Sequence, residues 1–292
     1  MNRRIEESEL ILRPDGSIYH LNLQAEELAQ TVILVGDPDR VPEVSSLFDT
    51  IEIKKQNREI VVHTGTVNSK RITVLSTGMG TDNIDIIINE LDALVNIDLR
   101  TRMVKEKHTS LNLIRLGTSG SLQKEIPVDS FVVSEYAIGL DGLAYFYKQH
   151  NQVIDQEYTN AFINQLQWPA SLPRPYVMKA SESLLQKIGF DFIHGTTATA
   201  PGFYGPQGRE LRLQTAHPEL NQKLQDFSYQ GKVIANFEME SSAIYALGQM
   251  LGHHTMTVCA IIANRVDLSF SKDYKKKVNE LIQILLERIS VL

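Results

Sequence analysis

Cysteine is almost absent from this chain of 292 residues, and several other common features are missing as well. Because Cys259 is the only cysteine, no intrachain disulfide can form, which fits a reducing compartment. No apolar run approaches the roughly 18 to 20 residues that a membrane-spanning helix needs. The N-terminus, MNRRIEESEL, has acidic residues where a signal peptide needs an apolar core. The sequence therefore predicts a cytoplasmic protein without a membrane partner.

An excess of positive charge is also lacking. The 29 Lys and Arg residues are outnumbered by 35 Asp and Glu residues, so the formal net charge is -6. Proteins that coat nucleic acid or anionic membranes carry the opposite balance, and we therefore expect neither partner. If the protein binds an anion, it must do so with a few cations placed at one site.

The common catalytic motifs are absent. There is no HExxH or CxxC, and His253 and His254 are adjacent, so their side chains diverge and make a poor metal pair. There is no G-x-S-x-G elbow and no Walker A lysine, and Gly78-Met79-Gly80 lacks the third glycine of a dinucleotide fingerprint. We therefore predict no metal ligands and no cofactor.

Apolar β-branched runs alternate with segments of helical period along the whole chain, which predicts one α/β domain around a buried sheet. A turn at Asn68-Ser69 between two apolar runs predicts an antiparallel pair, and hence a mixed sheet. Strands are predicted at 31–35, 59–67, 71–76, 111–116, 130–134, 192–198, 233–236 and 256–263. Helices are predicted at 84–95, 237–247 and 278–289.

Two segments combine glycine with arginine at the predicted end of a strand. In GDPDR at 36–40, Gly36 lets the backbone approach a ligand and Arg40 offers a forked donor for phosphate oxygens. In RLGTSG at 115–120, Arg115 and Thr118 repeat this chemistry at the carboxyl edge of the sheet, where α/β proteins bind ligands. The alternatives are an ordinary strand-to-helix turn at 36–40 and a buried arginine paired with a carboxylate at 115.

Two further segments suit a sugar and a base. Glu238, Met239 and Glu240 could pack on a ring and accept from hydroxyls, or the acids could cap a helix; we assign capping to Glu238 and the ligand to Glu240. In FYGPQGR at 203–209, Gln207 has a donor beside an acceptor, which matches one edge of a uracil ring. Arg209 could donate to a ring oxygen. Taken singly, this loop would be interpreted as a surface turn.

Taken in order, the four motifs resemble the nucleoside phosphorylase superfamily, in its uridine phosphorylase branch. The resemblance runs from about Tyr19 to Arg265. It implies a single domain over residues 1–292 with an N-terminal arm at 1–18, folded as a three-layer αβα sandwich around a mixed sheet. It also implies a pentosyltransferase of pyrimidine salvage, in which phosphate attacks the sugar of uridine and releases uracil and ribose 1-phosphate. It further implies possible use of 2′-deoxyuridine.

The resemblance implies roles for individual residues. Phosphate would be held by Gly36, Arg40, Arg58, Arg115 and Thr118; ribose by His20, Met239 and Glu240; the base by Gly120, Phe203, Gln207, Arg209 and Arg265. Arg115, Gln207, Arg209 and Glu240 would be the catalytic residues. His20 and Arg58 would reach a neighbouring subunit, which requires a homo-oligomer with shared active sites.

The resemblance leaves two alternatives. A purine nucleoside phosphorylase is disfavoured because purine-specific relatives carry an aspartate where this chain has Arg265, and a guanidinium is a poor proton donor to a purine. A catalytically silent nucleoside-binding protein is disfavoured because every residue with a catalytic role is retained. The chain departs from the family at 81–83, where Thr-Asp-Asn replaces the usual Pro-Ser, and a monovalent cation near Glu59 is a further expectation.

Overall fold

A mixed sheet of eleven strands runs through the computed structural model, which describes residues 3–292. The strands are β1 Thr31–Val35, β2 Thr50–Asn57, β3 Ile60–Val67, β4 Lys70–Ser76, β5 Ile97–Asp98, β6 Met103–Val104, β7 Asn112–Ser121, β8 Phe131–Gly139, β9 Tyr176–Lys179, β10 Ile193–Thr199, β11 Ser228–Tyr229, β12 Lys232–Glu238 and β13 His254–Asn264. Strands β5 and β6 form a separate pair.

The α-helices are α1 Arg40–Ser45, α2 Thr81–Asn96, α3 His150–Val153, α4 Gln156–Leu166, α5 Glu182–Leu184, α6 Leu220–Asp226, α7 Ser241–Met250 and α8 Tyr274–Ile289. The predicted apolar stripes are confirmed, since α2 buries Ile84, Ile88 and Leu91 and α8 buries its apolar positions from Val278 to Ile289. Helix α2 packs on α7, and α7 and α8 both pack on β7 and β13.

The pairing of the strands confirms the mixed sheet. Strand β1 lies parallel between β4 and β7, whereas β2, β3 and β4 pair antiparallel. Asn68 and Ser69 both have positive φ, 49° and 67°, at the predicted turn between β3 and β4. Two left-handed residues give a hairpin turn whose twist matches that of the flanking strands.

Strand β12 closes part of the sheet on itself. It pairs parallel with β10 and antiparallel with β7, so that β7, β13, β8, β10 and β12 form a ring. Phe237 lies opposite Gly120 and Asn236 opposite Ser121. This pairing brings the motifs at 115–120 and 236–242 side by side, although more than a hundred residues separate them in the sequence.

Two predicted boundaries that affect the site are wrong, and one strand was missed. Strand β7 continues to Ser121 because the glycine-containing segment stays paired with β13, so Arg115 lies within the strand and not at its end. Helix α7 begins at Ser241, since residues 237 and 238 continue β12 beside β10. Strand β2 was not predicted, because its largely exposed residues have no apolar run.

No helix in residues 3–292 is long and apolar enough to span a membrane. The segment predicted as an N-terminal arm packs against the rest of the chain, with Leu10 and Ile18 buried in the main core. Leu12 and Ile18 form a β-bridge within it.

Candidate active site

A buried ion cluster surrounds Arg115. Its Nη2 donates to Oε2 of Glu240, and its Nε lies 3.4 Å from Oε2 of Glu238. Only 5% of Arg115 is exposed, so the cluster is sealed from bulk solvent. Burial disfavours the charged guanidinium, but the two carboxylates outweigh it and raise the pKa of Arg115. The interpretation of residue 115 as an arginine paired with a carboxylate is therefore correct.

Gly117 makes room for this guanidinium. A Cβ at position 117 would lie 1.7 Å from Nη1 of Arg115, which is itself held by its carboxylate partners. The thiol of Cys259 lies 3.4 Å from the same nitrogen, and burial raises the pKa of that thiol to about 11. Cys259 therefore packs beneath the cluster as a neutral group, and glycine is required at 117 because any side chain would displace Arg115.

Glu238 caps helix α7, as the sequence analysis assigned. Its carboxylate accepts from the backbone N–H groups of Glu240 at 3.0 Å and of Ser241 at 3.0 and 3.1 Å. The hydroxyl of Thr199 donates to it at 2.7 Å. Burial raises the pKa of Glu238 even though Arg115 opposes the shift. With these donors, Glu238 has little capacity left for a ligand.

Glu240 is held from a second side by the loop before α2. Its Oε1 accepts from the backbone N–H of Gly80 at 2.8 Å. Gly78 and Gly80 have φ of 71° and 96°, a conformation that other residues rarely adopt. The half-buried Met239 lies between Glu238 and Glu240. Glu240 is therefore fixed at the junction of β12, α7 and α2.

A second cation lies near Arg115. Arg40 begins α1, directly after the turn that leaves β1 at Gly36, and β1 pairs with β7 such that Leu34 lies opposite Arg115. Burial lowers the pKa of Arg40, and the positive charge of Arg115 lowers it further. Among residues 3–292, the Arg40 guanidinium has no hydrogen-bond or ion-pair partner. Two arginines that repel each other, one without a partner, form a site suited to an anion.

A second cluster consists of three residues that are in contact through Arg209: Phe203, Gln207 and Arg209. Nη1 of Arg209 donates to Oε1 of Gln207 at 2.7 Å and to the carbonyl of Phe203 at 2.6 Å. The Arg209 guanidinium also lies 3.8 Å above the Phe203 ring. Gln207 is buried, whereas half of Phe203 is exposed. The segment is thus an ordered loop with donors and an open aromatic face, and not a plain surface turn.

Arg265 connects this loop to β7. Its Nη2 donates to the carbonyl of Gln207 at 3.1 Å, and its stem passes Gly120, where a Cβ would lie 3.6 Å from Cγ. Nη1 of Arg265 is buried without a hydrogen-bond partner in the described part of the chain. Burial lowers the pKa of Arg265, and burial together with Arg265 lowers the pKa of Arg209 to about 10. Both arginines still carry their charge at neutral pH.

His20 and Arg58 lie together beside Asn57 and Tyr19. Asn57 Nδ2 donates to the carbonyls of Tyr19 at 3.3 Å and His20 at 2.8 Å, and the guanidinium of Arg58 lies 5.9 Å from the Tyr19 ring. Within residues 3–292, neither residue has a hydrogen bond or ion pair with Arg40, Arg115 or Glu240. In the described part of the chain, these two residues therefore form a pair without a polar contact to the Arg115 cluster.

A group of titratable side chains, of which the sequence analysis considered only His253, lies at the other end of the sheet, where β7 and β13 begin. One ligand atom each from Asp92, His108 and His253 lies within 4.8 Å of the others. Nδ1 of His253 accepts from the backbone N–H of Leu111 at 3.2 Å, so the neutral ring carries its proton on Nε2, 3.2 Å from Asp92. A metal on Nε2 would move the ring proton to Nδ1, where it would face the N–H of Leu111, so the hydrogen bonding does not suit a metal centre.

Comparisons with known proteins find relatives along most of the chain. A family model described as the phosphorylase superfamily matches residues 30–290. A uridine phosphorylase from Thermococcus kodakarensis is 32% identical over 279 residues, which cover 94% of this chain and 88% of that enzyme. A DeoD-type purine nucleoside phosphorylase from Bacillus cytotoxicus is 26% identical over 278 residues, covering 92% of this chain and 97% of that enzyme.

Among solved structures, a Trypanosoma brucei nucleoside phosphorylase, described as having uridine phosphorylase activity, is similar with a TM-score of 0.88 and 30% sequence identity. The match covers 97% of this chain and 100% of that one.

Proposed function

Since the chain belongs to the phosphorylase superfamily, we propose that it is a pentosyltransferase that cleaves uridine with inorganic phosphate, giving uracil and ribose 1-phosphate. The observation that carries the proposal is the placement of the unpartnered Arg40 beside the Arg115–Glu240 pair. An anion would take Arg40 as its charged partner there, and a sugar hydroxyl would take Glu240.

Phosphate would bind between Arg40 and Arg115, with the backbone at Gly36 and the hydroxyl of Thr118 as further donors. A phosphate oxygen then forms the bond to C1′ while the bond from C1′ to the base nitrogen breaks, and the electron pair leaves with the uracil. Holding the nucleophile in line with the breaking bond lowers the entropic part of the barrier. Glu240 accepts from the ribose hydroxyls and stays next to Arg115.

The leaving uracil carries negative charge on its two carbonyl oxygens. Gln207 and Arg209 supply the donors for that charge, and the unpartnered Nη1 of Arg265 adds a second cationic group on the same side. Donors fixed in position before the reaction stabilise developing charge without reorganising. The pKa of Arg209, about 10, leaves it protonated at neutral pH, so it acts by charge and not by proton transfer.

A nucleoside panel tests the reaction. We expect uridine to be preferred over inosine by about 100-fold or more in kcat/KM, because Gln207, Arg209 and Arg265 match a pyrimidine edge and none can protonate a purine. Base release should require phosphate and yield ribose 1-phosphate, and 2′-deoxyuridine should be tested in parallel. A preference for inosine would instead support the purine nucleoside reaction of the Bacillus cytotoxicus relative. Uridine binding without product would support a silent binding protein.

We further propose that His20 and Arg58 complete the site of a neighbouring subunit. Arg58→Ala and Glu240→Ala are each expected to be inactive alone. Mixed under subunit exchange, they should recover about a quarter of wild-type activity, because half of the dimers are hybrids with one intact site each. Light scattering and native mass spectrometry would verify exchange, and each variant mixed with itself is the control. No recovery despite verified exchange would contradict the shared site.

The proposed reaction needs phosphate as co-substrate and no cofactor, since donors of the protein itself meet the charge of both phosphate and leaving group. A monovalent cation near Glu59 and a cytoplasmic location remain part of the proposal. The lone buried Cys259 and the lack of a membrane-spanning helix in residues 3–292 are consistent with that location.

A further inference from the structure

We propose that Glu90 on α2 is a positioning residue that orients His20 toward the 5′-hydroxyl of a nucleoside bound by the neighbouring subunit. The inference rests on the proposed function and adds to it a residue that no sequence motif singled out. Glu90 would not touch the substrate. It would set which nitrogen of His20 is free to do so.

The carboxylate of Glu90 accepts from three donors, two of His20 and one of Leu21. Its Oε1 lies 2.5 Å from Nδ1 of His20. Its Oε2 accepts from the backbone N–H groups of His20 at 3.0 Å and of Leu21 at 2.9 Å. The side chain of Glu90 is 13% exposed and that of His20 is 26% exposed. A mostly buried carboxylate therefore fixes both the backbone and the ring at this point.

This contact determines the tautomer of His20. Because a carboxylate accepts, Nδ1 carries the proton, and the neutral ring keeps its lone pair on Nε2. Among the described residues, Nε2 has no hydrogen-bond partner, and it is not one of the buried unsatisfied atoms. A solvent-accessible acceptor is thus held in one orientation, which is the arrangement that a hydroxyl donor requires.

A further hydrogen bond joins His20 to the turn that carries Arg58. The amide of Asn57 donates to the His20 carbonyl at 2.8 Å, and Arg58 is the next residue in the turn between β2 and β3. The rings of Tyr19 and His20 pack edge to face with centroids 4.9 Å apart. Glu90 and Asn57 therefore position the two residues assigned to the neighbouring site as one unit.

Helix α2 connects this unit to the subunit's own site. The N–H of Gly80, just before the helix, donates to Glu240, and Glu90 lies ten residues further along, about 15 Å at 1.5 Å per residue. A helix is a more precise support for a site than a loop. One rigid element thus carries at one end the Gly80 N–H that binds Glu240, and further along the carboxylate of Glu90 that supports His20.

The test compares uridine with 5′-deoxyuridine, which lacks the hydroxyl that His20 would bind. Glu90→Gln keeps the size of the side chain but cannot accept from the ring and both N–H groups as a carboxylate does. We expect kcat/KM for uridine to fall about tenfold, the scale of one hydrogen bond, with little change for 5′-deoxyuridine. His20→Ala should show the same selectivity, and the double variant should lose no more than His20→Ala alone.

Two controls separate positioning from folding and from the proposed reaction. Glu280→Gln removes the charge of an exposed ion pair with Lys277 on α8 and should leave both substrates unaffected. Long-range ¹⁵N–¹H spectra report the His20 tautomer without any turnover, and we expect the proton on Nδ1 in the wild type and a changed signature in Glu90→Gln.

An unchanged ratio of the two substrates in folded Glu90→Gln, or a wild-type proton on Nε2, would overturn the inference. Absence of uridine phosphorolysis in the wild type would count against the proposed function, whereas the spectra would still test the hydrogen bond from His20 to Glu90.

Discussion

Arg115→Ala is expected to abolish measurable phosphorolysis and to lower the free energy of unfolding by about 3 to 5 kcal/mol. The substitution removes the cation between two buried carboxylates, Glu238 and Glu240, and leaves both uncompensated in a sealed cluster. The predicted strand 111–116 placed Arg115 at a strand end, where its loss would leave the fold intact. Since Arg115 lies inside β7, activity and stability should fall together. Urea unfolding and phosphate saturation kinetics measure the two effects.

Two further variants separate the effects. Arg115→Lys keeps the charge but cannot form the forked contact. The free energy of unfolding should therefore change little, while the KM for phosphate should rise. Combining Arg115→Met with Glu238→Gln and Glu240→Gln removes every charge of the cluster, and stability should return without activity. If Arg115→Ala unfolded at the wild-type urea concentration, the cluster would not contribute to stability as the buried ion pairs indicate.

Arg209→Ala is expected to lower kcat/KM for uridine by about 10² to 10³, the cost of removing one donor from a preorganised site for developing charge. The guanidinium also holds Gln207 and the carbonyl of Phe203, so its loss disturbs two further residues assigned to the base. The KM for phosphate should change little, because Arg40 and Arg115 lie in the other cluster. Steady-state kinetics with each substrate varied in turn would measure both constants.

Arg212→Ala is the matched control for this loop. Arg212 is an exposed arginine three residues further on, and its loss removes the same charge without any of these contacts. Near-wild-type kinetics are expected. Equal losses in the two variants would indicate a general effect of positive charge on this loop and would contradict a specific role for Arg209.

Much of the fold could be predicted from local patterns. The apolar stripe of α2 and the turn at Asn68-Ser69 depend on side-chain spacing and on a few backbone conformations, which neighbouring residues largely determine. Strand β2 could not be predicted this way, because its exposed residues pair with β3 through backbone groups that any sequence offers. The end of β7 was misplaced for a related reason, since only its partners β12 and β13 keep residues 117–121 extended.

The residue types of the candidate site could be predicted without a structure, because the proposed phosphate, sugar and base each require particular donors and acceptors, and the motifs carry them. Their charge states and partners were not. That Arg115 is neutralised by Glu238 and Glu240, while Arg40 has no partner in the described chain, depends on β12 closing onto β7, a contact between residues more than a hundred positions apart. The support of His20 by Glu90 likewise joins residues 70 positions apart. Such contacts arise from packing of the whole chain, and local spacing contains no record of them.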